Sequence, residues 1–117
     1  MTQIYPELNL RILEMSEGDE EFQSELTNAI YNGLLDLQTK YREGVKAKNE
    51  TTIQQIRHKL KPTLSMFEFY DLIDELQYGK EILESKGFND EFDIHFASLN
   101  CKLEAAICTV LKLTQKS

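Results

Sequence analysis

The sequence predicts an all-α fold: an antiparallel up-and-down four-helix bundle with a short N-terminal capping helix, residues 1–117 forming one domain. Three observations carry this. Five glycines and two prolines in 117 residues are about half the usual share of turn-formers, which favours long helices with few connections. Apolar residues recur at spacings of three and four in five successive segments. No strand-like alternation flanked by turn signals occurs, nor any internal repeat or low-complexity segment. The length suits one compact unit with a single core.

The first segment sets Ile4, Leu8, Ile12 and Met15 on one face and stops near Gly18, a short amphipathic helix. Asp19 is placed to cap a long second helix, whose first turn holds Glu20 and Glu21 at the positive end of the helix dipole. Its stripe is Phe22, Leu26, Ile30, Leu34, Leu37, Tyr41 and Val45. Residues 48–55 interrupt the pattern, and Thr51 followed by Gln54 has the form of a capping box opening a third helix. That helix carries Ile53, Ile56, Leu60, Leu64 and Phe67. A fourth runs from about Phe69 through Leu72, Leu76, Ile82 and Leu83 to a stop at Gly87. Asn89 or Asp90 restarts the chain into the last helix, with Phe92, Phe96, Leu99, Leu103, Ile107 and Val110. Four long one-faced helices joined by short loops bury their stripes as a bundle with antiparallel neighbours, the first helix covering one end.

Twenty acidic residues against thirteen basic ones give a net charge of −7, which disfavours nucleic acid and an anionic membrane as partners. No stretch is read as approaching the roughly 20 apolar residues of a transmembrane helix. The start MTQIYPELNL lacks the basic and apolar regions of a signal peptide, so a cytoplasmic protein is expected. Cys101 and Cys108 fall on one helix with Cα atoms roughly 10 Å apart, too far for a disulfide, and read as free, inert thiols. With two histidines, two cysteines and no CxxC or HExxH pairing, no zinc ligand set is present. The acidic runs at residues 17–21 and 89–93 read as favourable charges at helix N-termini, without calcium-loop spacing.

The segment that offers chemistry is Arg57, His58, Lys59, Leu60, Lys61, Pro62, Thr63, Leu64 on the third helix. At 100° per residue, His58 falls roughly 160° from the centre of the apolar stripe and faces solvent. Lys61, Ser65 and Gln54 lie on neighbouring bearings about one turn away. An exposed imidazole is largely neutral at pH 7, and its free ring nitrogen is a nucleophile that needs no buried base. This chemistry suits capture of a phosphoryl group, whose added negative charge Lys61 offsets during in-line transfer. The chain has no Gly-rich phosphate loop, no Walker lysine motif and no magnesium site for nucleotide, so it is read as carrying a phosphoryl group without drawing one from ATP.

The segment from His58 to Thr63 resembles the HxLKG-small signature of histidine-containing phosphotransfer domains, the intermediate carriers of multistep phosphorelays. The entry over residues 8–22, ending in Gly18, Asp19, Glu20, Glu21 and Phe22, is similar to that family's N-terminal segment. The resemblance implies a bundle of about this length with His58 phosphorylated, Leu60 in the core, Lys61 the nearby cation and Thr63 at a position where a small residue is usual. Pro62 stands where the family usually has Gly, and Glu68 where a second Gly is frequent. The Gly keeps the surface beside the histidine low. Proline is compact too, but it frees the carbonyl of His58 from its helical bond and is expected to bend the helix.

The implied partners are receiver domains of hybrid histidine kinases and response regulators. This chain, expected to be a monomer, needs no cofactor of its own, and Mg²⁺ belongs to the receiver. A helical adaptor that docks receivers or kinases without being phosphorylated is the alternative. In an antiparallel pair, Gln77 and Lys80 come level with His58 on the fourth helix, either to contact the ring or phosphoryl group or as solvated surface residues. Met66, Phe69 and Tyr70 form a docking patch with Gln54 and Ser65, or else close the end of the bundle. His95, at the edge of the last stripe, reads as a packed structural histidine.

Overall fold

The computed structural model describes residues 7–114, among which there are five helices and no strand. They are α1 (Leu8–Ser16), α2 (Glu20–Ala47), α3 (Glu50–Met66), α4 (Tyr70–Ser85) and α5 (Asp90–Thr114). Ile4, assigned above to the first stripe, lies outside the described residues. The short helix α1 packs on α2; the four long helices form a closed ring of contacts, α2 on α3 and α5, α4 on α3 and α5. Helices α3 and α5 therefore sit on a diagonal.

The stripes meet in one core. Ile30, Leu34, Leu37 and Tyr41 of α2, Ile53, Ile56, Leu60 and Leu64 of α3, and Leu72, Leu76 and Ile82 of α4 are buried with Phe92, Leu99, Leu103 and Val110 of α5. Each fully buried Leu or Ile contributes roughly 1.5–3 kcal/mol. Along α2 burial begins at Leu26 and is complete from Ile30, so Phe22, expected at the head of that stripe, is exposed in the first turn. Helix α5 also departs from the sequence reading. By length and composition it is apolar enough to cross a membrane, although Phe92, Leu99, Leu103 and Val110 face the bundle interior.

The turns explain where the helices stop. Asp19, the expected cap, accepts a hydrogen bond from the Phe22 N–H (3.1 Å), and of Asn89 and Asp90 it is Asn89 that accepts from the Phe92 N–H (2.9 Å). Between α2 and α3 the outcome is different. Lys48 turns left-handed (φ 52°), the Asn49 N–H bonds back to the Gly44 carbonyl (2.8 Å), and the Asn49 side chain caps α3 by accepting from the Thr52 N–H (3.2 Å). The capping box at Thr51 and Gln54 is therefore not the start of α3; both residues lie inside its first turns. Gly44 is required there, because a Cβ would press into Ile53 across the turn.

Helix α3 continues through Pro62 for four further residues. It ends at Met66, and the chain reverses at Glu68, left-handed at φ 61°, where the Phe69 N–H bonds the Leu64 carbonyl (2.9 Å). This reversal turns Phe69 inward, and the ring is 0% exposed. Arg11 of α1 holds the same end: its Nη2 donates to the Met66 carbonyl (3.0 Å) and its Nε lies 3.6 Å from the Glu68 carboxylate. A left-handed non-glycine residue costs roughly 1–2 kcal/mol, and here the bonds around it hold it in place.

Candidate functional site

His58 stands in the middle of α3 on the face away from the core, and its side chain is exposed. Leu60 and Leu64, buried on the other side, fix the rotation of the helix and so hold His58 outward. The next helix supplies the opposite wall. A groove of about 350 Å³ runs between α3 and α4, lined by Gln54, Arg57, His58, Lys61 and Leu64 on one side and Ile73, Leu76, Gln77 and Lys80 on the other.

The structure thus brings together five of the residues read from the sequence, His58, Lys61, Gln54, Gln77 and Lys80. Arg57 and Ile73 were not singled out. Arg57 follows Gln54 by three positions and precedes Lys61 by four, a spacing that places all three along one side of the helix. The groove holds three cations and no carboxylate, in a chain of net charge −7. Among the described residues, Arg57, Lys61 and Lys80 have no ion-pair partner, whereas Lys59 is drawn to α2 by Asp36 (2.8 Å). Gln77 donates from Nε2 to Glu81 (3.2 Å), keeping its amide oxygen available. The floor, Leu64, Ile73 and Leu76, is apolar.

Other candidates fall outside the groove. Pro62 and Ser65 are exposed beyond its lining, and Thr63 is half-buried. Met66 and Tyr70 are exposed at the α3–α4 turn, but Phe69 is buried between them in the core, so it offers no docking surface. The patch of apolar side chains at that end is accordingly reduced to Met66 and Tyr70.

The second histidine lies in a different setting. His95 is buried in the α5 stripe, 2.7 Å from the Tyr41 hydroxyl through Nε2 and 2.7 Å from the Glu75 carboxylate through Nδ1. An ionised carboxylate only accepts, so Nδ1 carries the proton and Nε2 accepts from the Tyr41 O–H. Glu75 accepts in addition from Ser98 Oγ (2.8 Å) and Lys102 Nζ (2.8 Å). Burial pulls the His95 imidazole below its usual value and outweighs the neighbouring carboxylate. Burial alone would raise Glu75, but the bonds from Lys102, His95 and Ser98 hold it below the usual carboxylate range. Burial pushes the Tyr41 phenol far up despite the charge of Arg57. Gly79 makes room: a Cβ there would collide with the His95 ring.

The packed histidine was legible in the sequence, but its partners were not. The available signal was Glu75, a carboxylate three residues after Leu72 and four before Gly79 on the buried face of α4. Among the described residues, no group of three or more His, Cys, Asp and Glu side chains is arranged to hold a metal ion. Compared with protein-family models, with curated proteins and with solved structures, the chain matches none of them.

Proposed function

We propose that the chain is a cytoplasmic phosphoryl carrier of the histidine-containing phosphotransfer type, working between receiver domains. The observation that carries the reading is the α3–α4 groove, where an exposed imidazole stands among Arg57, Lys61 and Lys80 with no carboxylate in the lining. The fold agrees with it. The ring of contacts among α2 to α5 and the short turns between them support an antiparallel up-and-down bundle with α1 over one end.

The unprotonated ring nitrogen of His58 attacks the phosphorus of a receiver acyl phosphate. The N–P bond forms as the P–O bond to the aspartate breaks, and the carboxylate leaves with the electron pair. Cations around the transferring group stabilise the charge spread over its oxygens. Magnesium and most of the catalytic machinery belong to the receiver, while this chain supplies the nucleophile, the cations and a groove surface on which the partner docks. Return of the group to a second receiver is the same step in reverse.

A helical adaptor that binds receivers without chemistry is the second reading, and it is favoured by Pro62 and Glu68, which stand at the family's usual glycine positions. One experiment separates the two. The chain is mixed with several phosphorylated receivers, and acid-labile label is sought on the wild type and on His58→Gln. A carrier takes label only when His58 is present. Binding without label in any mixture would establish the adaptor.

A further inference from the structure

Helix α5 carries two apolar stripes rather than one. The inner stripe, centred on Phe92, Leu99, Leu103 and Val110, fills the core. On the opposite face, about 150° away at 100° per residue, stand Ile94, Ala97, Cys101, Glu104, Cys108 and Leu111, spaced alternately by three and four. All six are exposed, Ile94 at 72%. The solvent face of an ordinary bundle helix is polar, as it is on α2, where Glu21, Glu25, Asn28, Asn32 and Arg42 are exposed. The outer face of α5 has a single charge in six positions, in the spacing that a helix partner reads as a heptad seam.

The charges beside this stripe say which partner fits. The first turn of α5 is acidic, with Asp90, Glu91 and Asp93, and its last turn holds Lys112. Among the described residues neither Asp93 nor Lys112 forms an ion pair. Laid antiparallel on a second copy, the stripe matches itself: Ile94 comes level with Leu111, Ala97 with Cys108, and Cys101 with Glu104. The same register sets Asp93 of each copy beside Lys112 of the other, at both ends, with the helix dipoles opposed. A parallel pair would instead set Asp93 against Asp93. A lipid surface is disfavoured by Glu104 at the centre of the stripe and by the net charge of −7.

We propose that the outer face of α5 pairs antiparallel with the same face of a second copy, giving a symmetric dimer in place of the monomer expected from the sequence. Because α3 and α5 are diagonal in the bundle, both His58 grooves stay open in the dimer. Small side chains and the two Glu104 carboxylates make it a weak, reversible association.

Sedimentation of the full chain between about 10 μM and about 1 mM, a range suited to weak interfaces, tests this. The wild type is expected to dimerise with rising concentration. Ile94→Glu, at a side chain outside the core, weakens the dimer by about tenfold or more while the helical circular dichroism is unchanged. Glu104→Gln strengthens it several-fold. For the register, Ala97→Cys combined with Cys101→Ser is treated with a short bis-maleimide and yields a dimer joined between position 97 and Cys108. A monomer throughout the range overturns the proposal, and so does self-association indifferent to Ile94→Glu. A wild-type cross-link from Cys108 to Cys108 would overturn the antiparallel arrangement.

Discussion

His58 and His95 are the same side chain held under opposite constraints. His95 has both ring nitrogens bonded, to Tyr41 and to Glu75, and Gly79 is kept bare to admit it. His58 has no hydrogen-bond partner among the described residues and shares its groove with three cations. A histidine whose valences are all satisfied in a low-dielectric interior fixes helices α2, α4 and α5 against one another. One that is left unbonded beside positive charge is available for an incoming anion. The difference shows that a bundle assigns these roles by helix rotation: a stripe position is locked, and a position on the far side of the helix is open.

The comparison is broken most severely at Gly79. Gly79→Ala drives a methyl group into the His95 ring and is expected to lower the unfolding free energy by about 3 kcal/mol, read by denaturant titration. An unchanged midpoint would mean that the His95 pocket is loosely packed. Tyr41→Phe removes the donor to Nε2 while keeping the ring, at an expected cost of about 1–3 kcal/mol. Phosphoryl transfer by the folded variant should not change, since Tyr41 is buried and is not part of the groove lining; a transfer defect in fully folded protein would couple the two histidines.

Acidity sharpens the same contrast. His95 has a depressed value when folded, so below the ordinary imidazole range, pH about 6.5, the unfolded chain takes up a proton that the folded one refuses. Stability is therefore expected to be nearly constant at neutral pH and to decline as the pH drops through that range. Glu75, also depressed, adds a further decline below the ordinary carboxylate range, because protonation removes the acceptor for Lys102, His95 and Ser98. Denaturant titrations at a series of pH values check this, and the first decline should vanish in His95→Gln. Stability that rose on acidification would contradict the sign. On the open side the effects are kinetic. Lys61→Ala should slow phosphoryl transfer by about tenfold, with unfolding midpoints unaltered; an equal rate would remove Lys61 from the step.

Helix phase was the part of this molecule most readable in the sequence. The stripes of α2 to α5 obey a 3.6-residue period that burial must respect, and His58 was placed outward by the same count. Gln77 and Lys80 were reachable because a short turn makes positions equidistant from it level on neighbouring helices. Local turn geometry was harder. Asn49 and Thr51 are both competent caps two residues apart, and the left-handed Lys48, with the bond from Asn49 to Gly44, decides between them. Phe69 reads equally as part of a docking patch or as closing the bundle end, and the reversal at Glu68, which turns it inward, decides between them. The Tyr41, His95, Glu75 and Lys102 network joins three helices across long sequence separations, so no spacing rule reveals it. The outer stripe of α5 was hidden for a different reason, since each of its residues is unremarkable until the inner stripe is assigned and a second one is left over.

The most direct test of the carrier role asks which histidine is modified. The chain is mixed with a phosphorylated receiver and its phosphorus NMR spectrum is followed together with the ring nitrogens of both histidines. A single phosphoramidate resonance coupled to the imidazole of His58, with the His95 signals unmoved and the resonance absent in His58→Gln, is the expected result. No phosphoramidate with any receiver, or one that persists in His58→Gln, would contradict it.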